Sequence, residues 1–64
     1  MNQGGITVAL KKNDTVYRES DPTRIGVIKR IFTDHGVRKA EVAYSIREGE
    51  KKETWNLDDC ILAD

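Results

Sequence analysis

No stretch of eleven or more residues in this 64-residue chain carries apolar residues at helical spacing. Turn signals instead cut the sequence into short runs rich in β-branched and aromatic residues. Thr15-Val16-Tyr17 reads as a short strand, and Glu19-Ser20-Asp21-Pro22-Thr23 as a polar loop fixed by its proline. Ile25 to Thr33 is long for a strand and apolar at both parities, with Gly26 near its start, as in a strand that bends to serve two surfaces. Asp34-His35-Gly36 reads as a three-residue hairpin loop with Gly36 in the left-handed conformation. That loop predicts Thr33 opposite Val37, Lys29 opposite Glu41, Ile28 opposite Val42 and Arg30 opposite Ala40, and Arg38 opposite Phe32.

From Val42 to Ile46 the alternation is clean, with Val42, Tyr44 and Ile46 on one face. A four-residue loop, Glu48 to Lys51, brings Trp55 opposite Tyr44 and onto that same face, whereas a three-residue loop turns it away. Leu57-Asp58-Asp59 reads as one tight helical turn and Cys60-Ile61-Leu62 as a closing strand. The expected fold is therefore all-β and five-stranded, with one short helical turn before the last strand. Its expected core is Val16, Ile28, Val42, Tyr44, Ile46, Trp55, Leu57 and Ile61. Residues 13–64 make the domain. Residues 1–12 are a flexible or edge-strand N-terminal segment, with Ile6-Thr7-Val8 the candidate strand.

Charge limits the functions open to such a domain. Eleven basic and eleven acidic side chains cancel, which fits neither a DNA-coating protein nor an acidic DNA mimic. The balance is global and not local: residues 24–39 carry five bases against Asp34, and residues 40–64 carry seven acids against three bases. One cysteine and one histidine cannot supply a four-ligand nitrogen and sulfur metal site or an intrachain disulfide. With no signal-peptide pattern and no uncharged run longer than Asn2 to Leu10, the expected location is the cytoplasm, with no membrane contact.

Candidate chemistry is thin. His35 lies in a turn beside Asp34 without a nucleophile to serve, and Cys60 reads as a small buried hydrophobe. The carboxylate pairs Glu48/Glu50 and Asp58/Asp59 sit in turns, too wet for acid–base work. No catalytic residue, cofactor site or small-molecule substrate is expected. The bases Lys29, Arg30, Arg38 and Lys39 line the middle hairpin, either as a solvated face or as a contact for phosphates or carboxylates. Arg24, Arg30 and Arg38 are the expected partner-facing patch, with the polar loop Glu19 to Thr23 beside them.

Three segments carry a resemblance to the small SH3-like barrel of the Tudor-like and KOW-like type. Asn13-Asp14-Thr15-Val16 resembles its entry strand, with Asn13 where glycine is common. Arg24-Ile25-Gly26-Val27-Ile28-Lys29-Arg30-Ile31 resembles its glycine-plus-aliphatic second strand. Glu41-Val42-Ala43-Tyr44, followed by Glu53-Thr54-Trp55-Asn56-Leu57-Asp58-Asp59, resembles its third and fourth strands and closing turn. The likeness covers residues 13–63 and speaks to fold more than to activity. It implies a non-catalytic interaction module docking onto a protein complex, or one containing nucleic acid, in transcription, translation or repair. Two alternatives follow from it: a small structural subunit of a larger complex, or a nucleic-acid-binding barrel. The aromatic cage of some Tudor-like domains does not carry over, because Tyr44 and Trp55 are expected to face inward. The type II dihydrofolate reductases, which are similar small barrels, use a Val-Gln-Ile-Tyr stretch where this chain has Glu53-Thr54-Trp55-Asn56, so their activity does not carry over either.

Overall fold

A computed structural model describes residues 9–63. The candidate strand Ile6-Thr7-Val8 lies outside the described residues. Among the described residues five strands follow in chain order: β1 (Thr15–Arg18), β2 (Ile25–Asp34), β3 (Val37–Ile46), β4 (Gly49–Asn56) and β5 (Cys60–Leu62). A single 3-10 turn, Leu57–Asp59, separates β4 from β5. All pairings are antiparallel, in the order β4-β3-β2-β1-β5. The chain is thus all-β, as its punctuated pattern predicts.

The two edge strands are not joined by a ladder, yet the sheet is strongly curled. Val16, Ile28, Ala40, Val42, Trp55 and Cys60 form one buried cluster, drawn from all five strands. Trp55 and Cys60 stand on opposite edges of the sheet, so their sharing one core requires the sheet to roll up around it. The 3-10 turn carries the chain from one edge to the other. Leu10, Ile31, Tyr44 and Leu57 close the cluster as half-buried neighbours. Cys60 is buried, and its thiol donates to the Asn56 carbonyl at 3.5 Å. Burial, reinforced by the Asp59 charge, pushes that thiol above its ordinary pKa, so it packs as a protonated small hydrophobe.

Where the expected core differs, the ladders explain it. Ile46 is 39% exposed because it sits opposite Gly49 at the end of β3, past the curl. Ile61 is half-buried and pairs with Tyr17, on the opposite face from Cys60, which takes the core position on β5. Tyr44 and Leu57 pack against the core without being buried in it.

Both hairpin loops are shorter than the sequence suggests. At the β2–β3 turn Asp34 pairs with Val37, leaving His35 and Gly36 as a two-residue loop with φ of +53° and +79°. Two successive positive φ values give the mirror-image turn that matches strand twist, and Gly36 supplies the left-handed residue as expected. The missing loop residue reappears as a bulge between Ile28 and Arg30. Below the bulge, Ile28 faces Val42 and Val27 faces Ala43, as predicted. Above it, Arg30 faces Glu41, Ile31 faces Ala40 and Thr33 faces Arg38, one position away from prediction.

At the β3–β4 turn only Arg47 and Glu48 are unpaired, and Trp55 lies opposite Ala40 rather than Tyr44. The shift is four residues, so the parity survives and Trp55 still points inward, 1% exposed.

Candidate interaction surfaces

The curled sheet presents two polar regions built from different residues. The first lies where the polar loop 19–23 meets the end of the sheet. Asp59, in the 3-10 turn, latches that loop: its carboxylate accepts from the Ser20 hydroxyl at 2.7 Å, the Ser20 amide at 3.0 Å and Arg18 Nε at 3.0 Å. The Ser20 hydroxyl above all, then Arg18, holds the Asp59 carboxyl below the usual range. The Arg18 guanidinium also lies 5.3 Å from the Trp55 ring centre, capping the core.

Glu53 organises the neighbouring polar cluster. It accepts from the Trp55 indole N–H at 2.9 Å and from the Tyr44 hydroxyl at 2.7 Å. Arg24 donates to the Tyr44 hydroxyl at 2.9 Å, sits 3.4 Å from Glu53, and stacks 5.6 Å from the Tyr44 ring centre. The Trp55 bond, then the Tyr44 bond, holds the Glu53 carboxyl low, and the same Glu53 bond pushes the Tyr44 hydroxyl up. Arg18, Ser20, Arg24, Tyr44, Glu53 and Asp59 are thus each engaged within the chain. Nothing in the sequence pattern flagged Glu53, whose role comes from standing two residues before Trp55 on the same face.

The second region is the distal half of the β2–β3 hairpin, the arm. Phe32, half-buried, lies on the solvent face opposite Lys39, and the Arg30 guanidinium rests 4.5 Å from its ring centre. Arg30 also faces Glu41 at 3.5 Å, and Lys39 reaches Asp34 at 3.7 Å. Lys29, in the bulge, and Arg38 are exposed and have no ion-pair partner among the described residues. At the tip His35 is 93% exposed, its Nδ1 2.7 Å from Asp34.

The arginines singled out from the sequence do not form one patch. Arg24 is held at the sheet end by Tyr44 and Glu53. Arg30 is not free of acids, since the bulge sets it opposite Glu41 on the solvent face. Arg38 lies opposite Thr33, on the face that carries Ala40 and Val42 further along the strand. Among the described residues no group of three or more histidine, cysteine or acidic side chains is placed to hold a metal ion, and no helix is long and apolar enough to cross a membrane. Compared with protein-family models, with curated proteins and with solved structures, the chain shows no match.

Proposed function

We propose that this chain is a non-catalytic interaction module of the SH3-like barrel type that docks onto a protein partner through the arm of its β2–β3 hairpin. The observation that carries the proposal is the Arg30 guanidinium stacked on Phe32 at the solvent face. A half-buried aromatic under an arginine is the residue pairing that protein interfaces favour at their centres, because it combines apolar area with a planar donor fork. Lys29 and Arg38 extend the basic character of the arm to either side. Zero net charge tilts the partner towards a protein with carboxylates rather than a phosphate backbone. The SH3-like resemblance over residues 13–63 supports a docking role within a larger assembly, and a buried, protonated cysteine suits the cytoplasm.

The experiment is affinity capture from the source cell by the parent chain and by the double variant Arg30→Glu with Arg38→Glu. The variant is expected to keep its circular dichroism spectrum and lose the captured protein. Undiminished capture by a folded double variant places the docking surface elsewhere. The stacked pair also favours a second reading, since Phe32 could accept a base as well as a side chain. Binding of a single-stranded oligonucleotide that weakens steeply with salt and is lost in Phe32→Ala would select it.

A further inference from the structure

On the solvent face, between β2 and β3, runs an open groove of about 360 Å³. Its floor is Val27 and Ala43, which face each other across the ladder, and Ala43 is only 4% exposed. Thr15 of β1 and Ile25 of β2 form one side, and Ile25, at 55%, is the most exposed of the large apolar residues among those described. The register carries this apolar character onward, because Ile25 pairs with Tyr17 and Tyr17 with Ile61. Opposite charges stand at the two ends. Lys29 lies two positions beyond Val27 towards the hairpin tip, and Glu50 faces Ser45 in the other direction. Neither has an ion-pair partner among the described residues.

The shape selects the class of occupant. Small-molecule sites enclose most of the ligand, and this volume is at the low end of their range. A shallow, open groove on the sheet face suits an extended chain instead, held by its side chains because β2 and β3 already carry a ladder on either side. The charges then set the spacing. The two ends are four strand positions apart along the sheet, roughly 13 Å, and two strands apart across it, roughly 10 Å, so a five-residue extended peptide laid obliquely over β3 brings its first and last side chains within reach of both. In an extended peptide, residues i, i+2 and i+4 point the same way. An acid at i, an apolar residue at i+2 and a base at i+4 would meet Lys29, the Val27–Ala43 floor and Glu50 together.

We propose that this groove docks an extended segment of a partner protein in which one apolar side chain is flanked, two residues to either side, by an acid and a base. This goes beyond docking through the arm, and it stands or falls separately.

The test is an amide chemical-shift titration of the full chain with the capped peptide Glu-Thr-Ile-Thr-Lys, beside the doubly acidic Glu-Thr-Ile-Thr-Glu and the doubly basic Lys-Thr-Ile-Thr-Lys. Saturable shifts are expected at Val27, Ala43 and Ser45. The mixed peptide should bind about three- to fivefold more tightly than either control, the scale of one exposed ion pair. Lys29→Glu should transfer that preference to the doubly basic peptide, and Glu50→Lys to the doubly acidic one. Ile25→Ser, at an exposed site, should weaken all three with amide dispersion unchanged. Arg30→Glu should leave peptide binding intact, which separates the groove from the arm. No saturable shift at the groove, a flank preference indifferent to both charge variants, or an oligothymidylate moving these amides where the peptides do not, each overturns the proposal.

Discussion

Gly26→Ala adds one methyl group to a strand, a change that usually stabilises, and here it is expected to destabilise. A Cβ at Gly26 would stand 2.6 Å from Val42 Cγ1 and 2.7 Å from the Ala43 carbonyl oxygen. Favourable contact begins near 3.5 Å, so each neighbour must yield by about 1 Å. Neither can do so easily. Val42 is fully buried and β-branched, with its χ1 fixed by packing. Ala43 is backbone, tied into ladders with both Val27 and Lys52. The glycine is therefore required by close approach of strands. Overpacking of this kind costs about 1–3 kcal/mol, against a gain of about 0.4–1 kcal/mol from restricting the unfolded chain. With a rigid neighbour on one side and backbone on the other, the net should be a loss of about 2 kcal/mol. A domain of this size holds only about 3–10 kcal/mol in total. With a urea slope of about 1 kcal/mol/M, the midpoint should fall by about 2 M. Gly26→Ala combined with Val42→Ala should then cost at least about 0.5 kcal/mol less than the sum of the single changes. A midpoint equal to or above the parent's would refute the reasoning, and strict additivity would confine the clash to the Ala43 carbonyl.

Three further outcomes follow from the same packing and hydrogen bonds. Trp55→Ala should cost about 3–5 kcal/mol in denaturant melts, because the indole fills the centre of the curl, and parent-like stability would take it out of the core. Gly36→Val meets nothing within 4 Å, so its whole cost should be backbone strain at φ +79°, about 1–2 kcal/mol, with Gly36→Asn milder; equal melts for parent and valine variant would contradict this. Stability against pH should fall at both ends. Glu53 and Asp59 titrate low in the folded state, so their contribution is complete above about pH 4.5 and is lost as pH drops through their depressed values. Tyr44 titrates high, so its contribution is complete below about pH 10 and is lost as pH rises through the raised value. The stability gap between parent and Glu53→Gln should narrow as pH falls from about 5 to about 2, and a gap constant with pH would mean that the Glu53 charge adds nothing to stability.

Much of this fold can be read from period-two alternation and turn residues, and its failures are equally specific. Parity is what burial enforces, so the inward faces of Val42 and Trp55 were legible, and a register error of four residues left them untouched. Loop length is enforced far less. Glu48-Gly49-Glu50 admits several turns, and the alternation of the flanking strands fits a two-residue loop as well as a four-residue one. Asn13 shows the opposite case. Its place where the resembling barrels hold glycine is matched by a φ of +78°, a conformation asparagine tolerates better than other side chains. Phe32 as a surface aromatic was not legible at all, because its outward face depends on the bulge before it.

That bulge explains why a strand apolar at both parities can also present a polar face. Without an extra residue, Ile28 and Arg30 would share one side of β2, and Val27 and Ile31 the other. The bulge at Lys29 exchanges the faces midway, so Ile28 and Ile31 both face the core while Arg30 and Phe32 turn to solvent. Two consequences follow from this one residue. The distal half of the hairpin contributes Ile31 to the core at the level of Trp55, which anchors the arm. Its outer side is then left for a stacked arginine and phenylalanine that no contact in the core requires. Lys29 itself, displaced from the regular ladder, becomes the charged end of the groove beside Val27. The same irregularity therefore fixes the core, places the arm's aromatic and sets the groove's polarity, which is why a register counted from the hairpin loop without a bulge misassigned Arg30 while predicting the ladder below it.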